Sequence, residues 1–208
     1  MSVASDERAA LIDLMDRLGP DAPTLCAGWA TKDLAAHLIV RERRPDAAPG
    51  IVIPPLESLT DRAMRDYAGK PWPELLDLLR QGPPRWSPLS IDAISDRVNL
   101  IEFYVHHEDA RRGSPGWEPR PADGRRDAAL WKVLGMMGRV LYRRSPVGVL
   151  LRRPDGAEHG VRSGPRQVVV IGPPGEIVLH AYGRDEVRVD VQGEPAAVQA
   201  FQRSPRGL

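Results

Sequence analysis

A single cysteine, Cys26, in 208 residues excludes an intramolecular disulfide framework. The net charge of +1 leaves no electrostatic reason to expect a nucleic acid or an anionic membrane as partner. No apolar run approaches the ~20 residues needed to cross a bilayer. Residues 1–8 lack the basic-then-apolar pattern of a leader. The five tryptophans are scattered through expected loops and helix ends, with no base-stacking platform. These absences together predict a cytoplasmic protein with neither nucleic acid nor membrane as partner. What is present fits a folded chain, with 42% hydrophobic and 27% charged residues. The 21 prolines and 19 glycines fall mostly between periodic segments, where they mark firm element boundaries.

The first two thirds follow a helical period. Apolar residues recur through 6–18 until Gly19-Pro20 stops the pattern. Thr31 is the expected N-cap of a second helix running to about residue 44, since Pro45 disfavours helix before it. A proline-rich stretch over 46–55 precedes helical patterns at 59–67, 74–80, 91–112 and 125–144. After Pro146 the period becomes 2. Strands are expected at 147–152, 167–171, 177–182 and 187–191, with Asp155-Gly156 as a hairpin turn and a final helix over 194–201. The boundary thus falls near Ser145-Pro146, giving an α+β chain: a helical bundle over 1–145 and a small β-rich unit over 146–208.

Two of the helices are apolar around most of the wheel yet carry ligand chemistry. One holds His37; the other holds Glu102 and His106, four apart and so on one face. Buried polar groups need partners, because leaving them unpaired costs several kcal/mol. Two imidazoles and one carboxylate form a common ligand set for an open divalent-metal site, suited to zinc and to other first-row ions. The alternative for Glu102 and His106 is an i,i+4 ion pair on a partly buried face. Asp109, three beyond His106, is placed to accept the other imidazole N–H and fix its orientation. Asp33, four before His37, would either do the same for His37 or complement the helix N-terminus. His107 points about 100° from His106 and is expected to face solvent or another helix.

These residues carry a resemblance. Cys26-Ala27-Gly28-Trp29, Asp33-Leu34 and His37-Leu38, followed by Glu102, His106 and Asp109, are similar to the metal-binding helical domain of the mycothiol-dependent maleylpyruvate isomerase family. That domain belongs to the DinB-like four-helix-bundle superfamily. The runs Arg41-Glu42-Arg43-Arg44-Pro45-Asp46-Ala47 and Val105-His106-His107-Glu108-Asp109-Ala110-Arg111-Arg112 resemble an actinobacterial metal-binding subgroup. Gly172 to Glu176, Tyr182-Gly183-Arg184 and Val191-Gln192-Gly193-Glu194 resemble the family's sterol-carrier-like C-terminal domain.

The resemblance implies a DinB-like bundle in which His37, Glu102 and His106 hold zinc or another first-row divalent metal. It implies mycothiol as a thiol cosubstrate, held as a thiolate that adds to an electrophilic substrate, in a monomer or homodimer. An isomerase or thiol transferase follows; a non-catalytic metal- or ligand-binding module and a metal-dependent hydrolase are the other readings. The family's isomerase needs basic groups for its dicarboxylate. Arg184 and Arg41 are the candidates here, against a surface arginine and an ion pair with Glu42 or Glu108.

The remaining features read as structural. The charge runs at 41–44 and 111–112 are expected to be solvated helix faces. Cys26 reads as a small buried hydrophobe. Gly172 to Gly175 is expected to turn between strands, and His180 to lie in a strand.

Overall fold

The computed structural model describes residues 2–51, 53–87 and 92–207. The chain divides into two compact units, Met1–Trp117 and Glu118–Leu208. In the first lie α1 (Val3–Leu18), α2 (Thr31–Arg43), α3 (Glu57–Ala68), α4 (Trp72–Gln81) and α5 (Asp92–Arg112), with short 3-10 turns at Ala48–Ile51 and Pro54–Leu56. The expected start of α5 at residue 91 lies outside the described residues.

Helix α1 begins where Ser2 Oγ accepts the Ser5 amide at 3.2 Å and ends at Gly19, whose φ of +78° favours glycine. Leu11, Ile12 and Met15 of α1 pack with Leu34, Ala35, Leu38 and Ile39 of α2, Leu75, Leu76 and Leu79 of α4, and Phe103 and Ala110 of α5. Four helices therefore share one core, with α3 laid against α2. Helix α2 is the central one, buried on nearly every side. Its N-terminus corrects the expected cap. Ala30 occupies that position, Asp33 Oδ2 accepts the Ala30 amide at 2.9 Å, and the Thr31 hydroxyl donates to Gly19 O from inside the first turn.

In the second unit, α6 (Gly124–Leu141) precedes β1 (Gly148–Arg152), β2 (Glu158–Arg162), β3 (Gln167–Ile171), α7 (Pro174–Ala181), β4 (Asp190–Gly193) and α8 (Pro195–Gln202). Strand order is β2-β1-β3-β4, with β1 parallel to β3 and the outer pairs antiparallel. Val149, Leu151, Val168 and Val170 are its buried, alternate residues. The change from helix to strand falls between α6 and β1, around the expected 145/146 point. The compact units, however, divide at 117/118, because α6 packs on α7 and β2. Gly138 permits that approach: a Cβ there would lie 2.4 Å from Val161 Cγ1.

Two strand expectations are corrected. Residues 177–182 fold mostly into α7, whose eight residues are all buried, so no polar stripe reveals its period. Pro173-Pro174 starts this helix and does not turn between strands, Pro174 lying where the missing N–H costs nothing. The last strand runs Asp190–Gly193, beyond the expected 187–191. Strand β2 carries no legible signal, since only Val161 of its five residues is buried.

His180 is thus helical. Arg206 Nη1 donates to its Nε2 at 2.6 Å, so Nδ1 carries the hydrogen and donates to the Tyr142 oxygen at 2.8 Å. Among the described residues no helix is long and apolar enough to cross a membrane.

Candidate metal centre

Helices α2 and α5 bring together the three residues picked out by spacing. His37 Nε2 lies 3.0 Å and His106 Nε2 3.3 Å from the same atom, Glu102 Oε1. The imidazole centroids are 5.1 Å apart and nearly perpendicular. One donor atom from each residue lies within 4.8 Å of the others. The histidine side chains are 8% and 12% exposed and that of Glu102 24%, so the cluster opens on the carboxylate's side.

Burial pushes the Glu102 carboxyl up, but hydrogen bonds with His106 and His37 outweigh it and hold the group well below the usual range. Burial also opposes charge on His106. Hydrogen bonds with Asp109, Cys26 and Glu102 overcome that and raise its pKa well above the usual histidine value. For His37 burial wins over Glu102, and its pKa is lowered. A carboxylate flanked by two unlike imidazoles is a donor set that a divalent cation fits, displacing protons as it binds.

The groups behind these donors come from both helices. Asp109, fully buried, accepts the His106 Nδ1–H on Oδ2 at 2.9 Å. Asp33 serves the N-terminus of α2, the second of its two expected roles. Arg41 pairs with neither Glu42 nor Glu108. Its Nη1 donates to Asn99 Oδ1 at 2.7 Å, and its Nε faces Glu102 Oε1 at 3.6 Å. Arg184 belongs to the second unit, where its Nη1 donates to Tyr182 O. His107 is buried against α1, Nδ1 lying 3.2 Å from Glu7 Oε2.

The charge runs are only partly solvated, Arg44 pairing with exposed Asp46 while their neighbours turn inward. Glu42 is buried with Arg8, and Glu108 is buried under Arg111 and Arg112. Their sequence pattern reads as surface because the partners lie elsewhere in the fold or within a single turn.

For two residues of the quoted motif the sequence reading missed the role. The Cys26 thiol donates to Asp109 Oδ2 at 3.2 Å, so it is not merely an apolar filler. Trp29 sets its ring 5.2 Å from that of His37. Both lie on the loop between α1 and α2, and the motif that joins them to Asp33 and His37 was the sequence signal of a shared site.

Fold and site describe a helical bundle that carries a candidate metal-ligand cluster, followed by a small sheet-bearing second unit. No protein-family model and no curated protein sequence matches the chain. Among solved structures, the fold is that of mycothiol-dependent maleylpyruvate isomerase. A histidine-to-alanine mutant of that isomerase aligns with a TM-score of 0.61 at 17% identity, over 92% of this chain and 91% of that one. A second structure of the isomerase aligns at 0.56 and 18% identity over the same shares. The α+β architecture expected from the sequence, helical first and strand-bearing after, is shared with both.

Proposed function

We propose that this protein holds zinc or another first-row divalent ion at His37, Glu102 and His106, and that it uses mycothiol for isomerisation of, or thiol transfer to, an electrophilic small molecule. The observation that carries the reading is the convergence of two imidazole Nε2 atoms on one carboxylate oxygen at 3.0 and 3.3 Å. The fold shared with a mycothiol-dependent isomerase supports the choice of thiol. A divalent cation there would lower the pKa of a coordinated thiol and present it as thiolate at neutral pH.

The chain's own residues supply the rest. Asp109 holds the Nδ1 proton of His106 and so turns the Nε2 lone pair toward the site. Arg41 lies 3.6 Å from Glu102 Oε1 and offsets its charge, which favours approach of an anionic group. The apolar residues of α2 around His37 keep water from its far side. No protein nucleophile is required, because the thiol is the attacking group.

Metal analysis of the purified protein tests the first half: about one equivalent is expected in wild type and a large loss in His37→Ala. Wild-type protein without stoichiometric metal would overturn the reading. Titrating mycothiol into the cobalt form tests the second half. A thiolate-to-cobalt absorption band that appears only on adding mycothiol supports it. A metal-loaded protein with no band leaves a metal module without thiol chemistry, and ester or amide turnover in its place indicates a hydrolase.

A further inference from the structure

The loop between α1 and α2 bears on both imidazoles, through Trp29 at His37 and through Cys26 and Asp109 at His106. Its seat is close. The Leu25 amide donates to Asp109 O at 3.0 Å, and Gly113 lies so near Pro23 that a Cβ would stand 2.0 Å from the Pro23 carbonyl oxygen. Thr24 Oγ1 accepts the Cys26 amide at 3.2 Å and donates to Trp29 O at 2.9 Å, which holds the thiol in place.

One carboxylate oxygen, Asp109 Oδ2, therefore accepts from two donors, the Cys26 thiol and His106 Nδ1–H. The thiol adds a second hydrogen bond to the oxygen that accepts the imidazole N–H, and so restrains that oxygen further. We infer that Cys26 is a positioning residue, holding Asp109 in the orientation that fixes the His106 tautomer and aims Nε2 at Glu102. In this role the thiol acts as a hydrogen-bond donor. Its effect on metal affinity rests on the proposed ligand role of His106; its effect on the imidazole does not.

The test compares wild type, Cys26→Ser and Cys26→Ala. Serine keeps a hydroxyl donor and alanine has none. In metal-free protein labelled with 15N-histidine, the His106 Nδ1–H proton signal is the first readout. It is expected to be sharp and downfield in wild type and Cys26→Ser, and to broaden or move in Cys26→Ala. Zinc affinity, measured against a chromophoric chelator, is the second: Cys26→Ala is expected to weaken binding about 3- to 10-fold, with most of the affinity kept by serine.

The inference is overturned if alanine leaves the Nδ1 signal and the affinity as in wild type. It is equally overturned if serine harms both as much as alanine, since volume and not the hydrogen bond would then matter. Wild type that binds no zinc, with an Nδ1 signal still dependent on Cys26, would sink the metal reading and support the positioning role.

Discussion

Replacing Asp109 by Asn keeps the shape of a fully buried side chain and removes its charge. The carboxylate accepts the His106 Nδ1–H at 2.9 Å on the side of the ring opposite Glu102. Asparagine can still offer a carbonyl oxygen there, so the hydrogen bond survives as a neutral one. Hydrogen bonds to charged groups contribute roughly 1.5–3 kcal/mol and neutral ones roughly 0.5–1.5 kcal/mol. The difference of about 1–1.5 kcal/mol corresponds to roughly 5- to 13-fold in a dissociation constant. Asp109→Ala removes the acceptor altogether and falls in the ~10–100-fold range found when a ligand's outer partner is lost. Competitive titration of zinc against a chromophoric chelator at neutral pH measures both, with a thermal melt to show that each variant is folded. An affinity for Asp109→Asn within about twofold of wild type, in folded protein, would refute the argument. So would equal losses for Asn and Ala, because the graded response is what orientation by charge requires.

The His180 pKa is pushed down to about 3 by burial first and by Arg206 second, against the opposing effect of Asp185. The folded state then binds fewer protons than the unfolded one between pH 6.5 and about 3. Stability is full above pH 6.5 and lost as pH falls through that window, at about 1.4 kcal/mol per pH unit and on the order of 5 kcal/mol in total. Denaturant unfolding at a series of pH values checks it, and His180→Gln is expected to flatten the slope. Arg8→Met strands the Glu42 carboxylate, whose side chain is 1% exposed, and is expected to cost about 3–5 kcal/mol by denaturant unfolding. The further change Glu42→Leu should recover most of that loss, and failure to do so would show that packing under Arg8 dominates. Gly113→Ala forces a Cβ against Pro23 and should lower stability by about 1–3 kcal/mol, seen as a lower Tm, with weaker metal binding as the loop shifts. An unchanged Tm would count against the close seat of the loop.

The site was half legible in the chain. Glu102, His106 and Asp109 share a face because four and three residues on one helix are neighbours, a rule of covalent geometry that needs no fold. His37 stood out as a polar group in an apolar helix, and the burial of both helices was readable from the same pattern. Cys26 was not legible, since its meaning lies in the proximity of a loop to a residue 83 positions away. For Arg41 the sequence left a place beside the site or an ion pair with Glu42 or Glu108, and its actual partners, Asn99 and Glu102, come from another helix. In the second unit, α7 was hidden by uniform burial and β2 by its near absence, two conditions under which periodicity carries no phase.

By itself, the sequence determined the helical and strand-bearing parts, the turn from one to the other, and which side chains could ligate a metal, because backbone period and residue chemistry are local. The tertiary structure alone decided that two helices point their imidazoles at one carboxylate oxygen, that α6 joins the sheet, and that a cysteine from a distant loop steadies the arrangement. Those outcomes depend on close packing between segments far apart in the chain. Packing of that kind is selected by the shapes of both partners at once, and neither segment encodes it alone.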